Sequence, residues 1–323
     1  MRAVRMEAPG GPEVMTVVDV PTPEPGPGQV RVRHEAMGLN FIDIYHRTGL
    51  YPLPYPTGLG LEGAGIVEAI GEGVTRFRIG DRVAYASGPP GAYAEAHVVE
   101  AARAVHVPAD IPLSVAAGVM LKGMTAEYLV RRTFHVKQGQ VILVHAAAGG
   151  VGQILCQWAK GIGATVIGTV GSPEKAALAR TRGCDHTILY REEDIAARVR
   201  EITDGKGVAV AYDSVGATTF EASLASLGRR GMLVIFGNAS GPVPSFDPLR
   251  LARGGSLFVT RPTLFDYVAT TEDLDDSAAA LFAEIASGRV KIDIGRTFKL
   301  DDIQEAHRTM ESRETTGSSI LVP

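Results

Sequence analysis

Two cysteines in 323 residues, Cys156 and Cys184, are too few for a disulfide framework or a four-cysteine structural-zinc lobe. Charge of one sign is also lacking: 32 lysines and arginines face 36 aspartates and glutamates, leaving −4. No basic block is interleaved with aromatics, so nucleic acid is not an expected partner. No apolar run reads as a membrane span. Met1-Arg2-Ala3-Val4-Arg5-Met6 leads into strand-like sequence without a secretory hydrophobic core, so a cytoplasmic location is expected. The eight histidines show no close pair at ligand spacing, which argues against a metal site. What is present is ample apolar content, cut into short runs by glycine and proline, enough for two domains or one large one.

Residues 1 to about 110 read as short strands, with candidates at 29–37, 64–70, 82–86 and 92–99. Pro21 to Gly28 forms a rigid loop ahead of the first of these, and Gly80-Asp81 is a turn into the third. From Ser114 the pattern is helical. Beyond it, strands at 141–146, 164–169, 186–190, 208–213, 231–236 and 256–260 alternate with helices at 150–161, 173–182, 192–202, 218–227 and 247–253. Apolar strands joined by helical crossovers specify a doubly wound parallel sheet. Ser318 to Val322 reads as a last strand that completes the sheet of the first domain, which makes the parallel-sheet domain an insertion. The expected division is 1–123 with 263–323, and 124–262.

Val141 to Ala146 runs directly into Ala147-Ala148-Gly149-Gly150-Val151-Gly152, a strand, a tight turn spaced A-x-G-x-x-G, then a helix. Such a turn lets backbone approach a pyrophosphate and aims the first helical N–H groups at its charge. The next strand ends in Gly168-Thr169-Val170-Gly171-Ser172 with Lys175 one helical turn on, where an NAD-preferring site carries a carboxylate for the ribose hydroxyl. A hydroxyl and an ammonium attract a 2′-phosphate, which points to NADPH. Phe236-Gly237-Asn238 follows the fifth strand, at the carboxyl edge where such sheets bind ligand.

Several segments together resemble the zeta-crystallin-like quinone oxidoreductases, the zinc-free branch of the medium-chain dehydrogenase/reductase superfamily. They are Gly38-Leu39-Asn40-Phe41-Ile42-Asp43, Leu121-Lys122-Gly123-Met124-Thr125, His145 to Gly152, Tyr212-Asp213-Ser214-Val215-Gly216, Phe236-Gly237-Asn238, Thr260-Arg261-Pro262 and Glu311-Ser312-Arg313 with Gly317-Ser318-Ser319. The resemblance implies an α/β protein: a Rossmann domain inserted in a GroES-like, mostly β catalytic domain. It implies NADPH as hydride donor, quinones or related electron-poor carbonyl compounds as acceptors, and a homodimer. The cofactor-binding residues it implies are Phe41, Thr125, Tyr128, Ala148, Gly149, Gly150, Val151, Gly171, Ser172, Lys175, Tyr190, Val215, Phe236, Gly237, Asn238, Arg261 and Arg313. For Lys175, Tyr190 and Arg313 taken singly, a solvated helix face, a strand end and a helix C-terminus are plainer readings. Arg261 could equally sit in a domain-junction ion pair.

Zinc-dependent relatives in that superfamily carry Gly-His-Glu where this chain has Gly60-Leu61-Glu62, and leucine cannot ligate a metal. The expected enzyme is therefore metal-free, with hydride transfer to an acceptor that is already electron-poor and proximity doing most of the work. Asn40, Asp43, Tyr45 and Tyr51 are the catalytic candidates. Asn40 with Asp43 also has the spacing of a capped helix start, whereas phenols can donate to a carbonyl acquiring charge. Reduction of an enone double bond uses the same hydride geometry and stays open. A structural or RNA-binding role, also open, is disfavoured by the charge balance. The edge strand at 256–260 could pair with its copy across a two-fold axis.

Overall fold

The computed structural model describes residues 1–312 and 315–323. Arg313, a candidate from the sequence, lies outside the described residues. In chain order the first elements are β1 (Arg2–Arg5), β2 (Thr16–Asp19), β3 (Gln29–Leu39), α1 (Phe41–Thr48), β4 (Gly63–Ile70), β5 (Arg82–Tyr85), β6 (Ala96–Glu100), β7 (Ala104–His106) and α2 (Leu113–Tyr128). There follow β8 (Val141–Val144), α3 (Gly150–Ile162), β9 (Thr165–Val170), α4 (Pro173–Thr181), β10 (His186–Leu189), α5 (Ile195–Ile202), β11 (Val208–Asp213), α6 (Phe220–Ser226), β12 (Leu227–Ile235), α7 (Leu249–Arg253) and β13 (Phe258–Thr260). The last are α8 (Leu264–Tyr267), α9 (Thr271–Ala286), β14 (Ile294–Lys299), α10 (Ile303–Glu311) and β15 (Ser318–Val322). They form two compact units, one of residues 1–124, 268–286 and 292–323, the other of 125–267 and 287–291. The division falls inside α2, and the chain leaves the second unit after Tyr267.

In the first unit a seven-stranded sheet runs β14-β15-β3-β4-β5-β7, with β6 also on β3. The sequence of β3 explains its place. Val30, Val32 and His34 are buried while Arg33 and Glu35 are exposed, and from Ala36 to Leu39 every residue is buried. Period two thus gives way to burial on both faces where β15 joins, Ile320 opposite Gly38 and Leu321 opposite Met37. Val4, Met6, Met37, Leu39, Leu300, Ile303, Met310 and Leu321 share one apolar core there.

Two expectations need correction. The candidate strand at 92–99 begins only at Ala96. Gly91, Ala92 and Tyr93 donate their N–H groups to the 59–60 loop, and Tyr93 accepts from Val4, so the segment is committed outside the ladder. A long apolar helix is also present: α2 continues through a π-helical turn, Leu129–Thr133, and the resulting 21 residues are long and apolar enough to cross a membrane by length and composition. Most of it, 83% of its most apolar window, is buried inside the protein, as in a core helix.

The second unit is a six-stranded sheet in the order β10-β9-β8-β11-β12-β13, parallel throughout. Ile142, Leu143 and Val144 are wholly buried, the continuous apolar strand that a sheet covered on both faces requires. From β8 the chain steps outward through β9 and β10, then returns to β11 on the other side. That reversal sets a crevice at the carboxyl ends of β8 and β11. Strand β8 stops at Val144, short of the expected 146, because Ala146 turns left-handed at φ 51°.

Candidate active site

At the carboxyl edge of the second unit, the chain between β8 and α3 is shaped by the absence of side chains. The Ala146 carbonyl accepts from Gly149 N–H at 2.8 Å. A Cβ on Gly152 would lie 2.3 Å from that same oxygen and 2.9 Å from Ala147 Cα, so no other residue fits. Helix α3 starts behind Gly149, and its first intrahelical bond is Gln153 N–H to the Gly149 carbonyl, 2.9 Å. By helix geometry the N–H groups of Gly150, Val151 and Gly152 have no partner within the helix.

Beside it, β9 ends at Val170 and passes into Gly171-Ser172. A Cβ on Gly171 would come within 2.7 Å of the Tyr190 hydroxyl, and Ser172 caps α4 by accepting from Lys175 N–H at 3.4 Å. Gly171, Ser172, Lys175 and Tyr190, far apart in sequence, thus form one corner. Across the sheet, Phe236 N–H binds the Asp213 carbonyl at 2.8 Å, and a Cβ on Gly237 would lie 2.4 Å from the Ser214 carbonyl. The 236–238 and 213–216 segments, with Val215 and Asn238, therefore pack as one layer. The Arg261 guanidinium donates to the carbonyls of Ile235 (3.2 Å) and Pro262 (3.3 Å), a backbone anchor inside the unit. Tyr128 stacks on Tyr267 with ring centroids 4.4 Å apart, and burial pushes its phenol above the usual range. Thr125 is buried at the start of this unit.

Under these loops lies a network that the sequence reading missed. His145 touches Thr169 Oγ1 at 3.0 Å and Ser223 Oγ at 2.9 Å. Ser223 in turn donates to Asp213 Oδ2, and Asp213 Oδ1 accepts from the N–H groups of Val215 and Gly216 at 2.8 and 3.0 Å. Burial lowers the His145 pKa, keeping the ring neutral. The sequence signal was a buried-strand histidine and an aspartate, each at the carboxyl end of an apolar run. It is the pairing of strands β8 and β11 that joins them.

In the first unit, Asn40 and Asp43 begin α1. Asp43 accepts the Asn40 N–H at 2.9 Å and the Tyr93 hydroxyl at 2.6 Å. It is fully buried, and burial raises its pKa to about 7. Of the four catalytic candidates it is thus sealed in the core, where it acts as helix cap and tether for Tyr93. Asn40 Nδ2 donates to Glu62 Oε2 at 2.8 Å, while Glu62 Oε1 accepts Leu121 N–H at 2.7 Å. Lys122 Nζ lies 3.8 Å from Glu62 and donates to the Leu39 carbonyl at 3.0 Å. Burial pulls the Lys122 pKa down and pushes that of Glu62 up. Gly38 makes room for this pair: a Cβ there would fall 1.9 Å from Glu62 Oε2. Tyr45 and Tyr51 meet edge to face at 5.3 Å and are half-buried, and Phe41 is exposed.

Residues 26–137 match the alcohol dehydrogenase GroES-like domain model, and residues 150–283 the zinc-binding dehydrogenase model. Over all 323 residues the chain is 53% identical to a quinone oxidoreductase of Pseudomonas aeruginosa, 99% of which is covered. The chain belongs to the quinone oxidoreductase family. Its fold is accordingly a GroES-like domain with a Rossmann-type domain. A solved Escherichia coli quinone oxidoreductase, complexed with NADPH, superposes at a TM-score of 0.98 with 47% identity over both whole chains. A 2-haloacrylate reductase of Burkholderia is 45% identical over 97% of this chain and 96% of its own. Among the described residues, the zinc of the second family model's description finds no fitting donor set. Leu61 stands beside Glu62, both Glu62 oxygens are already bonded, and an ammonium sits where a second cation would be repelled. Among the described residues no group of three or more His, Cys, Asp or Glu converges.

Proposed function

We propose that this protein is an NADPH-dependent quinone oxidoreductase that works without a metal ion. The observation that carries the reading is its full-length likeness to quinone oxidoreductases, one of them complexed with NADPH. The glycine cradle fits such a cofactor: Gly149, Gly150 and Gly152 leave backbone bare, with helical N–H groups for a pyrophosphate. Gly171, Ser172, Lys175 and Tyr190 form the 2′-phosphate corner, with Arg313 as a further candidate. Ala148, Val151, Val215, Phe236, Gly237 and Asn238, with Phe41, Thr125, Tyr128 and Arg261, are the further cofactor-binding residues of this proposal. Residues 124–262 are the proposed dinucleotide domain, and 1–123 with 263–323 the catalytic one.

Bound NADPH supplies a hydride. The chain's task is to hold an electron-poor acceptor against it and to complete the proton balance. Tyr45 and Tyr51, which are not sealed as Asp43 is, offer phenols that donate to the acceptor oxygen as it gains charge, with solvent able to replace the proton. Asn40 and Asp43 hold the start of α1 behind them. Glu62 with Lys122 forms a buried pair where zinc-dependent relatives place a ligand, so no Lewis acid enters the proposal.

The test is a titration with NADPH and NADH side by side, read against Lys175→Ala. Loss of one charge-assisted contact weakens NADPH binding about tenfold and leaves NADH unchanged. Equal affinity for both cofactors, untouched by the substitution, would sink the assignment. A second reading, reduction of the carbon–carbon double bond of an enone, is favoured by the likeness to 2-haloacrylate reductase. Steady-state turnover of a short quinone against a short enone separates the two. We further propose a cytoplasmic homodimer paired through β13, the last strand of its sheet, where Phe258 is 51% exposed. A monomeric mass in solution scattering would refute the pairing.

A further inference from the structure

The chain's two cysteines are 28 positions apart, yet their sulfurs lie 3.5 Å from each other inside the second unit. Both are free and buried. Their meeting needs two glycines. A Cβ on Gly168, in the middle of β9, would fall 2.6 Å from Cys184 Sγ. Gly183 turns left-handed at φ 97°, and a Cβ there would press on the Cys156 carbonyl at 2.9 Å. The 182–184 turn is thereby laid against the side of α3. The stretch from Cys156 to Cys184 contains β9, Gly171, Ser172 and all of α4 with Lys175, and so carries most of the proposed 2′-phosphate corner.

We propose that Cys156 and Cys184 form a redox-responsive dithiol that closes to an intramolecular disulfide and changes the affinity of that corner for NADPH. The thiols need to approach from 3.5 Å to a bond length of about 2 Å, a movement that the turn at Gly183 can absorb. With hydrogen peroxide as oxidant, one thiolate displaces hydroxide from the peroxide to give a sulfenic acid. The second sulfur, already in contact, attacks it and releases water. In sum two thiols and one peroxide become one disulfide and two waters. The contact with Cys184 and burial both raise the Cys156 pKa, so the first step is slow. The second is fast, because its partner is always in place, so sulfenic and sulfinic acids do not accumulate. The affinity change rests on the cofactor reading above, whereas bond formation does not.

The reduced full-length protein is treated with increasing hydrogen peroxide, denatured, blocked with N-ethylmaleimide and weighed intact. The expected product has lost two hydrogens, carries no maleimide and migrates as a single chain. Cys156→Ala and Cys184→Ala each leave one thiol that takes maleimide or gains oxygen instead. Oxidised wild-type protein binds NADPH at least about threefold more or less tightly, restored by dithiothreitol. Two maleimides retained at peroxide doses that oxidise the unfolded chain, oxygens mapped by peptide digestion to Cys156 or Cys184 in place of the bond, or chains linked to each other would each overturn the disulfide. A disulfide with unaltered NADPH affinity would overturn its regulatory part. Should the reduced protein bind no NADPH at all, the cofactor reading fails separately, and the mass measurement still decides the bond. Because the wild-type mass carries the test, poor folding of either alanine variant leaves it decisive.

Discussion

Single residues here are constrained by what cannot be added or removed. Gly152→Ala would drive a methyl to 2.3 Å from the Ala146 carbonyl, at a backbone already left-handed there. The expected result is a lower melting temperature and NADPH affinity reduced by more than tenfold, read by thermal melting and fluorescence titration. The pair of Glu62 and Lys122 is a different case. Lys122→Met leaves a fully buried carboxylate with Asn40 and Leu121 as donors but no counter-charge. Breaking a buried pair from one side costs about 3–5 kcal/mol. Denaturant melts of Lys122→Met, and of the double variant with Glu62→Gln, are expected to show the double variant as the more stable. Equal losses from the two would mean that the carboxylate was not held by the ammonium.

At the scale of elements, β15 links regions remote in sequence. It lies between β14 and β3, and its Leu321 is fully buried in the same core as Met37 and Ile303. Leu321→Ala is expected to destabilise the first unit by about 2–5 kcal/mol while leaving NADPH binding by the folded protein within about twofold. A chemical melt followed beside a cofactor titration checks both. The alternation of apolar strand and helix from Val141 onward was legible in sequence because both faces of a parallel sheet are covered, so each strand is a plain apolar run. The start of the 92–99 segment was misread because Ala92 and Tyr93 serve loop contacts with Gly60 and Leu59 rather than a ladder. The length of α2 was missed because Lys122, Glu127, Arg131 and Arg132 interrupt its apolar run, although Glu127 is buried.

For the molecule as a whole, buried titratable groups set the acid stability. Burial depresses His34 and His97 to about 4 and His307 to about 3. A histidine whose folded pKa lies below its unfolded value of about 6.5 adds stability above that pH and loses it as pH falls. Asp43, raised to about 7, acts oppositely: its contribution is full below the unfolded value of 3.8 and vanishes as pH rises through 7. Near pH 5, unfolding therefore takes up protons at these three histidines and releases one from Asp43, a net uptake of about two, enlarged by His46 and His145, which burial also lowers, and trimmed by Glu62, which burial raises. Each net proton is worth about 1.4 kcal/mol per pH unit. The melting temperature is expected to fall steadily from pH 6.5 to 4.5, and Asp43→Asn to steepen that fall. A flat profile would show that these groups are not sealed.

The sequence by itself determined the parallel sheet, the glycine turn, the tip of the second strand of that sheet without a carboxylate, and the want of a histidine beside Glu62. Each is a local pattern, written in the spacing of neighbours along the chain. Only the tertiary structure decided that Asp43 is sealed beneath Tyr93, that His145 and Asp213 share a network through Ser223, that Lys122 stands against Glu62, and that Cys156 meets Cys184. The reason is physical: these are contacts between segments tens of residues apart, and whether a polar group is partnered or buried depends on strand order and packing, which no local spacing encodes.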